Sequence, residues 1–141
     1  MTFLTAIKTC FSKYITFSGR ASRSEYWYFA LFTLLATFGT LALDIVLASN
    51  LGLPPIFYTV TSIAIILPSL SVLVRRLHDV NKSGWWYFIC FVPLVGVLLI
   101  LYWAVSKGTS GPNRFGPDPI TGEEAPLSYT DSAIPPVNRG E

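Results

Sequence analysis

Charge is what this 141-residue chain has least of. Only 13% of its residues are Asp, Glu, Lys or Arg, against about 25% in ordinary soluble domains. A soluble fold of this size leaves most of its residues partly exposed to water. Ten basic and eight acidic side chains cannot cover such a surface, which argues against a soluble enzyme. Cysteine is scarce too: Cys10 and Cys90 stand far apart with no C-x-x-C pair. With His78 as the only histidine, neither a disulfide framework nor a four-ligand zinc site is expected. There is no G-x-S-x-G, and no cysteine neighbours His78, so the His78-Asp79 pair lacks a nucleophile to activate. Neither an enzyme nor a bound cofactor or metal is expected. The net charge of only +2 offers no general polyanion surface, so nucleic acid is not an expected partner.

What fills the chain instead is apolar and aromatic: 52% hydrophobic residues, 15% Phe, Trp or Tyr. Residues 2–18 place Phe3, Leu4, Ile7, Phe11, Tyr14 and Ile15 at three- and four-residue steps, with lysines and threonines opposite. That pattern predicts an amphipathic helix ended by Gly19, packed on the protein or lying in a membrane interface. Lysines interrupt its apolar run every few residues, unlike the core of a signal peptide. Ser22 and Glu25 then have capping-box spacing. Three long apolar runs follow, at 26–48, 57–74 and 85–105, of which the second ends at Arg75-Arg76. The first has a single charge, Asp44, and at 1.5 Å per residue spans roughly 34 Å, enough for a ~30 Å hydrocarbon core. Trp27, Trp85, Trp86 and Trp103 all fall within two residues of a run's end, where tryptophans anchor at headgroup level. The fold class expected is all-α: an integral membrane protein with an interfacial amphipathic helix and three transmembrane helices. Residues 1–120 form that membrane domain. The Pro- and Gly-rich stretch 121–141 is expected to be a disordered tail.

Four polar clusters flank the runs. They are Gly19-Arg20-Ala21-Ser22-Arg23-Ser24-Glu25-Tyr26-Trp27, Arg75-Arg76-Leu77-His78-Asp79, Ser83-Gly84-Trp85-Trp86, and a last one from Gly108 through Asn113-Arg114-Phe115-Gly116-Pro117-Asp118-Pro119. Pro93 and Gly96 supply a P-x-x-G inside the third run. In this order around three apolar runs, these motifs resemble the bacterial inner-membrane family catalogued as domain of unknown function 805. The resemblance covers about residues 10–120. It implies a small integral protein of the bacterial inner membrane and no established activity.

The candidate lipid- or partner-binding residues are Arg20, Arg23, Glu25, Arg75, Arg76, His78, Asp79, Asn113 and Arg114. Arg20 and Arg23 serve either as positive-inside anchors, with Glu25 paired locally, or as a site for anionic headgroups or an acidic partner segment. Arg75 and Arg76 stand i,i+4 and i,i+3 to Asp79, so both can pair with it if the helix continues. That cluster reads as a membrane-edge turn held by ion pairs, or as a headgroup-binding or proton-sensing site around His78. Asp44 reads as an interfacial carboxylate reaching water, or as part of an ion pathway. The leading expectation is a non-enzymatic membrane component that binds lipids or partner proteins, with a homo-oligomer among the possible assemblies. The alternative is a subunit of a small oligomeric transporter or channel, using Asp44 and helices kinked at Pro68 and Pro93.

Counting Lys and Arg near the membrane favours a cytoplasmic N-terminus. With three full crossings, seven lie inside and two outside, and the tail is outside. If the third run doubles back at Pro93–Gly96, the tail is cytoplasmic and the count is nine against none. The run's 21-residue length and its terminal tryptophans favour the full crossing.

Overall fold

The computed structural model describes residues 1–124, and within them the only regular elements are helices. These are α1 (Phe3–Ser12), α2 (Arg23–Leu51), α3 (Ile56–Asp79), a 3-10 segment (Gly84–Phe91) and α4 (Val95–Val105). All but the first four residues of the expected tail, 121–141, lie outside the described residues.

The first helix is shorter than the 2–18 expected. Thr2 caps it by accepting from the Thr5 amide at 3.3 Å, and it ends at Ser12 rather than at Gly19. The reason is tertiary. The Ser71 hydroxyl of α3 reaches the carbonyls of Lys13 at 2.9 Å and Thr16 at 2.6 Å, holding the chain in a turn. The packed face of α1 is small, with Ala6 and Cys10 fully buried, while Leu4 on the helix and Ile15 in the turn after it point outward. Phe11 contacts Phe29 and Phe32 edge-on, which seats α1 against α2.

The two long helices form an antiparallel pair joined by a short loop. Gly52 ends α2 in the left-handed conformation at φ 64°, where a side chain would be strained. Pro55 opens α3 and offers no side-chain cap. Asp44 does that task from the neighbouring helix, accepting from the Phe57 amide at 3.2 Å and the Tyr58 amide at 2.7 Å. The expectation of a carboxylate reaching water is therefore corrected: Asp44 is buried and satisfies orphan donors at a helix start. At 1.5 Å per residue α2 is about 44 Å long and α3 about 36 Å. Only 6% of the most apolar stretch of α2 and 17% of that of α3 is buried. The core helix of a soluble protein would hide most of such a stretch. These two helices are long and apolar enough to cross a membrane.

Pro68 sits inside α3 without ending it. A proline leaves the carbonyl four residues earlier, Ala64, without its helical donor. The Tyr14 hydroxyl donates to that carbonyl at 2.5 Å.

The third run is not the single helix 85–105 that was expected. It breaks at Val92–Leu94, with Leu94 at a positive φ of 63°, and α4 is about 16 Å long, too short to cross a ~30 Å core. In a straight helix Trp86 and Trp103 would stand about 25 Å apart. Their ring centroids are 5.4 Å apart, so the run is a hairpin folded back on itself. Gly96 makes the fold-back possible. A Cβ there would lie 1.8 Å from the Ile89 carbonyl oxygen, a clash with backbone that no rotamer relieves. The first limb repeats every three residues, as 3-10 geometry requires. Trp85, Phe88 and Phe91 accordingly stack in an exposed file. On the other side Leu77, Ile100 and Trp103 form a buried cluster that pins the hairpin to α3.

Candidate functional site

The α3 helix does not stop at Arg75-Arg76 as a span ending there would. It runs on through Asp79, placing Arg75 through Asp79 on a helix instead of a turn, all five buried. Asp79 is the pivot. Its Oδ1 accepts from Arg20 Nε at 3.0 Å, and its Oδ2 accepts from Arg76 Nη1, the i,i+3 partner. The i,i+4 pairing of Arg75 with Asp79 is not formed. Arg75 instead donates to Glu25 across the helix pair. The local pairing of Glu25 is thereby corrected as well: the Ser22 hydroxyl accepts from the Glu25 amide at 3.2 Å, but the Glu25 carboxylate goes to Arg75. The Cys10 thiol also lies on that carboxylate, at 3.8 Å. Burial, and then the negative charge of Glu25, push the Cys10 thiol up to about 11 from its ordinary 9.0. The Nε and Nη2 of Arg75 are buried with no hydrogen-bond partner among the described residues, which makes it the least satisfied member of the cluster.

The same charges gather the end of the hairpin. Arg76 Nε donates to the Ala104 carbonyl at 3.2 Å and Nη2 donates to that of Ser106, while the Trp27 indole reaches Ala104 at 3.3 Å. Together they satisfy carbonyls that the C-terminus of α4 leaves open. Arg20 donates to the carbonyls of Gly111 at 2.6 Å and Thr109. The loop can lie this close only because residue 108 is glycine, where a Cβ would sit 2.0 Å from Asp79 Oδ2.

The residues of the last motif lock onto the same face. Asn113 donates to the His78 carbonyl at 2.9 Å. Phe115 stacks on the His78 ring at 3.9 Å and nearly parallel, while Nδ1 of His78 faces the Gly19 carbonyl at 3.0 Å. Arg114 is exposed, with its guanidinium over Phe115 and a bond to the Asn81 carbonyl at 3.3 Å. Asp118 accepts from the Ile120 and Gly111 amides, and these bonds, Ile120 first, hold its carboxyl below the ordinary 3.8.

Of the nine candidates, the structure brings Arg20, Glu25, Arg75, Arg76, His78, Asp79, Asn113 and Arg114 onto one end of the α2–α3 pair. Arg23 is exposed at the start of α2 and belongs to none of the three ion pairs among the described residues. Sequence reasoning placed Gly108 and Asp118 in the last motif but gave neither the role that the geometry shows. The N-R-F-G-P-D-P string held the signal for Asp118, since an Asp inside a Gly/Pro-rich turn binds nearby backbone amides. Among the described residues no three His, Cys, Asp or Glu side chains gather where a metal ion could sit.

An all-helical chain with two helices of membrane-spanning length and apolarity, closed at one end by a buried ion-pair cluster, is the class that this architecture defines. The chain belongs to the family described as protein of unknown function DUF805, whose profile matches residues 14–117 and so contains nearly all of the cluster. Among curated proteins it is similar to inner membrane protein YhaH of Escherichia coli strain K12, at 42% identity over 107 residues, 75% of this chain and 88% of that one. Inner membrane protein YhaI of the same strain is 39% identical over 109 residues, 77% of this chain and 90% of the relative. No solved structure matches significantly.

Proposed function

We propose that this chain is a non-enzymatic component of the bacterial inner membrane that binds anionic lipids or a membrane-protein partner at its cytoplasmic face. In this reading α2 and α3 cross the bilayer, α4 and the 3-10 segment form a re-entrant hairpin, and α1 and the turn after it lie in the interface with Leu4 and Ile15 toward lipid. One observation carries it: the polar motifs of three separate segments interlock at the same end of the two long helices. All nine Lys and Arg residues from Lys8 to Arg114 then belong to that face, and the 49–55 loop carries none. By the positive-inside rule this end is cytoplasmic, with both the N-terminus and the segment after α4 on that side. The names of the curated relatives support the inner membrane as the location. Ion coupling through Asp44 is disfavoured, because both its oxygens already accept helix-start amides.

Topology is tested with single cysteines in a chain carrying Cys10→Ala and Cys90→Ala. Asn50→Cys should react with a membrane-impermeant maleimide in spheroplasts, and Ser110→Cys only after lysis. Labelling at Ser110→Cys in intact spheroplasts would overturn the re-entrant arrangement. Binding is tested by a lipid and protein inventory after gentle purification from native membranes. Anionic lipid or one protein should be enriched over the bulk membrane, and a bulk-like inventory would end that part of the reading.

A further inference from the structure

We infer that Arg23 and Lys107 hold the phosphate of an anionic phospholipid in a notch between the start of α2 and the end of α4. This rests on the lipid-binding reading above and names its site. The notch has a volume of about 60 Å³, the scale of a single phosphate group, and Arg23, Lys107, Thr109, Ser110, Asp79 and Asp118 line it. Arg23 and Lys107 are exposed, and neither belongs to any of the three ion pairs. The two carboxylates beside them are already committed. Asp79 gives one oxygen to Arg20 and the other to Arg76, and Asp118 gives one to the Ile120 amide and the other to that of Gly111. Four cationic side chains thus surround two carboxylates whose oxygens are in use, and the residual field favours an anion over a cation.

The chemistry of the rim suits a phosphodiester. A guanidinium and an ammonium supply charge, and the hydroxyls of Thr109 and Ser110 can donate to remaining oxygens. Depth points the same way. Trp27 donates to Ala104, three residues before Lys107, so the notch lies at the level where tryptophans meet headgroups. A phosphate seated there leaves its acyl chains to run along the exposed apolar side chains of α2 and α4, such as Leu31 and Leu101.

The test uses the full chain in mild detergent, titrated with phosphatidylglycerol, phosphatidylcholine or inorganic phosphate and read by native mass spectrometry. Each surface Lys or Arg contributes about a fivefold factor toward anionic lipid, so Arg23→Ala and Lys107→Ala together should weaken phosphatidylglycerol binding roughly thirtyfold. Phosphatidylcholine binding should not change. Arg23→Lys with Lys107→Arg should keep most of the preference, and an unchanged thermal midpoint shows that the alanine variants remain folded. A preference for phosphatidylglycerol that survives the double alanine change, or that falls equally in Lys8→Ala with Lys13→Ala, would overturn the site while leaving the lipid-binding reading standing. Absence of any preference in the unaltered chain would overturn both. Displacement of the lipid by millimolar inorganic phosphate would reassign the notch to the free ion.

Discussion

The α3 helix and the hairpin that follows it are built from similar material. Each comes from an uncharged apolar run with one interior proline, Pro68 in the first and Pro93 in the second. Yet α3 continues unbroken through its proline for 24 residues, whereas the second run breaks beside Pro93 into a 3-10 limb and a short helix. The neighbours account for the difference. At Pro68 the orphaned Ala64 carbonyl meets the Tyr14 hydroxyl, and Ser71 is fastened to the end of α1, so the helix is supported on the side where its ladder is interrupted. At Pro93 the chain finds Gly96, whose missing Cβ lets the second limb settle on the Ile89 carbonyl, and Trp86 packs on Trp103 instead of facing the opposite interface. Proline in an apolar run is thus permissive. What lies against it selects a bend, a break or neither.

The sharpest way to break the comparison is at Asp79, which ties the end of α3 to both the N-terminal segment and the hairpin. Asp79→Asn leaves Arg20 and Arg76 buried without their shared counter-ion and should cost about 3–5 kcal/mol. Thermal denaturation in detergent would read it, and a loss under ~1 kcal/mol would remove Asp79 as the pivot. Next is Gly96→Val, which drives a side chain into backbone at the fold-back and should cost about 1–3 kcal/mol. Changed tryptophan fluorescence from separation of Trp86 and Trp103 should accompany it; an unperturbed spectrum and midpoint would mean the hairpin is not held there.

A smaller effect isolates the support of α3. Tyr14→Phe should cost about 1 kcal/mol, since hydrogen bonds in membrane-embedded helices are modest. In a Pro68→Ala background the helix supplies its own donor to Ala64, so the same change should cost close to nothing. Equal, non-zero costs in both backgrounds would show that the hydroxyl does not act through the carbonyl that Pro68 leaves open. The smallest expected effect is on the Cys10 thiol, whose folded value of about 11 stands above its ordinary 9.0. Because the raised value favours the protonated form, its contribution to stability is complete below pH 9 and is lost as the pH rises through 11. Alkylation at pH 8 should be much slower at Cys10 than at the half-buried Cys90, and comparable rates would contradict the buried site.

Several elements were legible before any geometry. The start of α2 at Ser22 and the all-helical class follow from residue type and spacing, and the family from its resemblance to the ordered motifs. Partner choice did not. Arg75 and Arg76 are adjacent and both are spaced for Asp79, but adjacent helix positions point about 100° apart, so one faces Asp79 and the other faces Glu25 on α2. The role of Asp44 was equally hidden, because the amides it caps belong to a different helix.

By itself, the sequence determined that this chain is helical and apolar, with its charges collected beside the runs, because hydropathy and helical periodicity are properties of neighbouring residues. It also determined where the third run could break, through Pro93 and Gly96. Only the tertiary structure decided that it does break, which carboxylate each arginine takes, and that α1 stops at Ser12. Those outcomes depend on steric fit and hydrogen-bond satisfaction between segments that periodicity does not relate, as in Ser71 with Lys13 and Arg75 with Glu25, 50 or more residues apart, and Gly96 with the Ile89 backbone across the fold-back.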